Sequence, residues 1–74
     1  MPRIPGEIDR MRFVRAMARL GRHVTRVSGS HHVFVHIEGT RSIVVAIHQT
    51  VRRGAILGAL KEAGIDVETF LEEL

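Results

Sequence analysis

Seventy-four residues make one domain with a small core, and at ~0.05–0.15 kcal/mol per residue its stability is expected to be roughly 4–11 kcal/mol. Cysteine is absent, which excludes a disulfide framework and a thiolate metal site, and the longest apolar run, Ile43 to Ile47, is far too short to span a membrane. The net charge of +3 conceals an asymmetry: Arg10 to Arg53 holds nine arginines and one acid (Glu38), a net of +8, whereas Lys61 to Leu74 holds one lysine and five acids, a net of −4.

Ten of the eleven basic residues are arginine, whose planar fork suits phosphate. A basic body with an acidic tail points to a polyanionic partner, with a merely solvated arginine-rich surface as the alternative. Met1 to Gly6 carries both prolines and reads as an extended lead-in. Charge follows it rather than an apolar core, so no secretory leader is expected. With no cysteine to oxidise, a cytoplasmic location is the expectation.

A first helix is predicted over Glu7 to Leu20, with Glu7 and Asp9 in its first turn, where the helix dipole favours acids. Phe13, Val14, Met17, Ala18 and Leu20 share an apolar arc, Arg12, Arg15 and Arg19 cluster opposite, and Arg10 interrupts the arc. Gly21 ends the helix. His23 to Ser28 is rich in β-branched residues and predicts a strand, closed by a Gly29-Ser30 corner. From His31 the chain alternates: Val33, Val35 and Ile37 point one way, His32, Phe34, His36 and Glu38 the other. Gly39-Thr40 suits a two-residue turn, and Ser42 to Ile47 is the third strand. That turn would set Glu38 opposite Arg41 and His31 opposite His48, with Cβ atoms about 5 Å apart on one face.

A second helix is predicted over Val51 to Ala63 with Thr50 as N-cap, a soft spot at Gly58 and an end at Gly64. Arg52 and Arg53 would fall in its first turn. Cations are unfavourable there unless a phosphate docks at that end. Asp66 should cap a last helix from Val67 to Leu74, with Ile65 and Phe70 as a hydrophobic staple. The fold class that follows is α+β: a two-layer α-β-β-β-α(α) sandwich, a three-stranded antiparallel sheet with helices on one face.

Five histidines raise a metal reading, but their spacing argues against it. His31 and His32 point to opposite faces, and His32 and His36 lie about 13 Å apart along theirs, so neither pair can share a zinc with bonds of about 2 Å. Serine nucleophile chemistry at Ser30 lacks a placed acid to orient its base. Acid–base cleavage of RNA asks for less, because the substrate's 2′-hydroxyl is the nucleophile. His31 could move the proton, with His48 as helper if the register holds, and Arg26, Arg52 and Arg53 could hold the phosphate.

The ordered set Leu20-Gly21, Gly29-Ser30-His31-His32, the Ile43-to-Ile47 strand running into His48, Gly54, Leu60-Lys61-Glu62-Ala63-Gly64-Ile65 and Phe70-Leu71 resembles the HicA family of toxins. These are small RNA-cleaving proteins of type II toxin–antitoxin pairs, related in fold to the double-stranded RNA-binding domain. Arg22 stands where that family usually has an aromatic residue. The resemblance implies that His31 is catalytic, that messenger RNA is cleaved without metal or cofactor, and that a HicB-like antitoxin covers the site. By likeness to the RNA-binding fold, the first helix, the Gly29-Ser30 corner and the start of the second helix would face RNA. The RNA-binding candidates are therefore Arg12, Arg15, Arg19, Arg26, Ser30, His32, Arg52 and Arg53. Three readings remain open: an active ribonuclease, an RNA-binding module or inactive homologue, and a purely protein-binding domain in which the acidic tail matters more than the arginines.

Overall fold

A computed structural model describes residues 3–39 and 41–74. The chain runs β1 (Glu7–Asp9), α1 (Arg10–Arg19), β2 (Arg22–Ser28), β3 (His31–His36), β4 (Ser42–Ala46), β5 (Thr50–Arg52), α2 (Arg53–Ala63), α3 (Val67–Glu72). Strands β2, β3 and β4 form an antiparallel sheet in that order, so β3 is central. The expected α+β architecture is observed, and the helices cover one face of this sheet.

Two elements differ from expectation. Glu7 to Asp9 is not the first turn of α1 but a strand, paired antiparallel with β5. Both segments alternate polar, apolar, polar. Ile8 and Val51 pair on the inner side at 3% and 0% exposure, whereas Glu7, Asp9, Thr50 and Arg52 lie on the outer side. Asp9 then caps α1 from outside, its carboxylate accepting from the N–H groups of Met11 (3.0 Å) and Arg12 (3.3 Å). For the same reason α2 starts at Arg53 and not at Val51, and Thr50 is a strand residue rather than its N-cap.

Helix α1 buries Phe13, Ala16 and Met17, an i, i+3, i+4 stripe. Arg10 breaks nothing, because it is exposed at the first helical position. Phe13 meets Phe34 of β3 edge-to-face and Phe70 of α3 at a tilt, each at 5.8 Å between ring centres. Helix α2 adds Ile56, Ala59 and Leu60. Gly64, at φ +70°, ends it, and Ile65 N–H reaches back to the Leu60 carbonyl at 2.9 Å. Helix α3 begins after Asp66, whose side chain makes no capping bond, and Phe70 of the expected staple is fully buried.

The register between β3 and β4 is a second correction. His31 pairs with Ala46, Phe34 with Ile43 and Val35 with Ser42, so His48 is not opposite His31 and Glu38 does not face Arg41 in the ladder. A Gly39-Thr40 turn would set Val35 opposite Val44, two positions beyond its observed partner Ser42, the last pair of the ladder. Ile37 N–H bonds to the Gly21 carbonyl (2.8 Å), and Glu38 N–H to Nδ1 of His36 (3.1 Å). The expected Gly39-Thr40 turn includes Thr40, which lies outside the described residues.

Candidate functional site

The two faces of the sheet decide which histidine is available. Phe34, Ile43 and Val45 face the helices and are buried, and so does His32, at 8% exposure. Its Nδ1 lies 3.3 Å from the Ser30 carbonyl. Although a candidate for RNA contact, His32 is a core histidine whose ring points away from the open face. His31 alternates to that open face and is exposed. Its cross-strand neighbours are Ser28 on one side and Ala46 on the other, both small, so space is left around the ring.

Arg26 reaches this face through an irregularity. The β2–β3 ladder slips at Thr25: Val24 pairs with Phe34, yet Arg26 pairs with Val33. Strict alternation would turn Arg26 toward the helices beside Val24. The extra residue turns it outward instead, as bulges do. Arg26 then lies diagonally across from His31, at a Cα separation of about 7–8 Å. Its guanidinium can reach a phosphate held beside the imidazole.

One end of the sandwich gathers most of the candidates. The Gly29-Ser30 corner, with Gly29 at φ +60°, is stitched to the end of β4 by Ile47 N–H donating to the Ser30 carbonyl at 2.7 Å. Arg10 N–H bonds to the Gln49 carbonyl at 3.1 Å, which brings the start of α1 to the same end. Arg53 N–H bonds to the Gly6 carbonyl at 2.9 Å, which adds the start of α2. His31, Arg26, Arg12, Arg52 and the exposed His48 therefore share one pole. At the opposite pole lie the ends of α1 and α2 and the last residues of α3, with Glu62, Glu72 and Glu73.

Three arginines are bonded to backbone carbonyls of the fold. Arg19 Nη1 donates to the Glu73 carbonyl (2.8 Å), at the acidic pole. Arg53 Nε donates to the Ile4 carbonyl (2.9 Å) and fastens the N-terminal segment to α2, so a cation in the first turn of that helix has an internal partner. Arg22, not singled out for contact, lies beneath the C-terminal end of α2, with Nη2 3.2 Å from the Ala63 carbonyl and Nη1 buried without a partner among the described residues. Arg12, Arg15, Arg26 and Arg52 are exposed and carry no such tether among the described residues.

A cleft of about 470 Å³ at the His31 pole is lined by Glu7, His48, Gln49, Thr50 and Arg52. Nothing in the sequence marks Glu7, Gln49 and Thr50 as site residues, because the ribbon that assembles them is only three residues per strand. Among the described residues, no group of three or more His, Asp or Glu side chains is arranged to hold a metal ion, and no helix is long and apolar enough to cross a membrane.

No match was found among curated proteins or among solved structures. The family described as the HicA toxin of bacterial toxin–antitoxin systems matches residues 10–65, which run from the first residue of α1 to just past Gly64. That span includes the whole three-stranded sheet with its Gly-Ser-His corner, and the chain belongs to the HicA toxin family of bacterial toxin–antitoxin systems.

Proposed function

We propose that this chain is a metal-independent endoribonuclease that cuts messenger RNA with His31 as its acid–base residue, and that a HicB-like antitoxin neutralises it by covering the open sheet face. The observation that carries the reading is the exposed His31 on the central strand, between Ser28 and Ala46, with Arg26 turned onto its face by the bulge. A central strand is held by ladders on both sides, which fixes the backbone that carries the imidazole while leaving its ring accessible.

The chemistry follows from those groups. A phosphodiester lying along the open face is gripped by Arg26, which offsets charge as it builds on the phosphoryl oxygens. His31 takes the proton from the adjacent 2′-hydroxyl, that oxygen attacks phosphorus, and the bond to the 5′-oxygen breaks. The leaving oxygen collects a proton from water or from His48, and the products are a 2′,3′-cyclic phosphate and a 5′-hydroxyl end. Arg12, Arg15 and Arg52 extend the phosphate track around the pole toward the helical layer. The action belongs in the cytoplasm, where messenger RNA and antitoxin are met.

The test is incubation of wild type and His31→Ala with a long transcript in excess EDTA. Wild type alone should give defined fragments with 5′-hydroxyl ends. Equal cutting by both proteins would remove His31 from the chemistry. A non-catalytic RNA-binding domain is the second reading, favoured by His48 standing beyond the strand rather than opposite His31, so that no second proton carrier is fixed across the strand. It predicts that both proteins bind the transcript and neither cuts it.

A further inference from the structure

We infer that the cleft formed by Glu7, His48, Gln49, Thr50 and Arg52 is a nucleobase subsite that selects guanine in the RNA strand running past His31. The inference rests on the RNA reading above. The cleft lies where β4 hands over to β5, two residues beyond Ala46, the strand partner of His31. A base seated there belongs to a nucleotide near the bond being cut.

The cleft contains a negative charge that a phosphate site would exclude. Glu7 stands in a cleft at the basic pole, directly opposite Arg52 in the β1–β5 ladder. The Thr50 hydroxyl donates to Glu7 Oε2 at 3.1 Å and fixes the carboxylate. A carboxylate accepts hydrogen bonds and repels phosphate, so a group that fills the cleft must offer N–H or O–H donors to Glu7. Arg52, on the same face, is placed for the phosphate that follows. A nucleotide satisfies both ends at once.

Guanine fits best among the bases. Its N1–H and N2–H donors stand side by side and can both meet a carboxylate, and its O6 accepts from the Gln49 amide. Uracil offers one N–H between two carbonyl oxygens, which face the carboxylate unfavourably. The His48 ring supplies a flat surface for a base to lie against. The walls are held in place: the Gln49 carbonyl accepts from Arg10 N–H (3.1 Å) and the Thr50 carbonyl from His48 N–H (3.3 Å).

The experiment uses the full chain and 2′-O-methyl RNA heptamers, which lack the nucleophilic hydroxyl and cannot be cut by the proposed route. The heptamers differ only in a central guanine, inosine or uracil, and affinity is read by fluorescence anisotropy. Guanine should bind about tenfold more tightly than uracil. Inosine, without the 2-amino group, should lose most of that advantage. Glu7→Gln keeps an acceptor for Thr50 and should bring guanine and uracil within about twofold of each other. Equal affinities in the wild type, or a guanine preference that survives Glu7→Gln, would overturn the subsite and leave the RNA reading standing. Absence of binding to every heptamer would overturn both.

Discussion

The fold divides six candidate arginines into two groups, and salt dependence can count them. Arg19 and Arg53 are bonded to the carbonyls of Glu73 and Ile4, whereas Arg12, Arg15, Arg26 and Arg52 make no such bond among the described residues. Each phosphate contact on single-stranded RNA contributes about 0.7 to the slope of log affinity against log salt. Four contacts give a slope of about 2.8, and six about 4.2. Between 50 and 200 mM salt, four contacts weaken binding about 50-fold and six about 300-fold. The assay is anisotropy with an uncleavable oligomer across that range, for the wild type and for single Arg→Gln variants. Arg12→Gln, Arg26→Gln and Arg52→Gln should each lower the slope by about 0.7, whereas Arg19→Gln and Arg53→Gln should leave it nearly unchanged. Arg53→Gln should instead reduce stability by about 1–2 kcal/mol, through its partly buried bond to Ile4. A wild-type slope near 4, with Arg19→Gln lowering it as much as Arg12→Gln does, would refute the division.

Three further outcomes follow. Gly58→Ala should raise stability by about 0.5–1 kcal/mol in urea denaturation, because a Cβ there meets nothing within 4 Å and the position is interior to α2. Asp9→Ala removes the side chain that accepts from both Met11 and Arg12 and should cost about 1 kcal/mol in the same assay. His31→Ala should leave thermal stability almost untouched, since the ring is exposed, whereas His32→Ala should lower it measurably by opening a void beside Phe34 and Val45. That contrast distinguishes loss of cutting from loss of fold.

Long periodic segments were legible in the sequence and short ones were not. The α1 stripe of Phe13 and Met17, the alternation from His31 to His36 and the stop at Gly64 each rest on several residues that agree. Strands β1 and β5 have three residues each, too few for a period-two pattern to outweigh the helical signal beside them. Their pairing joins positions more than forty residues apart, which local propensity does not register. His31 was legible as a candidate because its motif is local. His48 was misplaced because a register is counted from a turn, and here β3 leaves the ladder before the turn expected of it. The shift was two positions, so His48 kept its exposure while losing its place opposite His31. Arg26 shows the converse: without the bulge at Thr25, alternation alone would have turned it toward the helices.

The acidic residues raise a last question, whether they take part in binding or only share the chain with the groups that do. Glu62 and Glu72 are exposed at the pole where Arg19 and Arg22 close the helical layer, and α1 alone separates the poles by ten residues, or about 15 Å. At physiological salt the Debye length is about 8 Å, so a carboxylate at one pole acts on a phosphate at the other across nearly two screening lengths. The Coulomb energy at 15 Å in water is about 0.3 kcal/mol, and screening reduces it to below about 0.1 kcal/mol. Summed over two carboxylates and four phosphates at that distance or beyond, Glu62→Gln with Glu72→Gln should therefore change RNA affinity by less than about twofold at 150 mM salt. A gain of threefold or more would mean that RNA reaches the acidic pole and that the phosphate track runs along α1 as far as Arg19. An unchanged affinity confines the track to the end that holds His31. The acidic pole is then left for a protein partner, and weaker antitoxin binding by the same double variant would show that its carboxylates serve that contact.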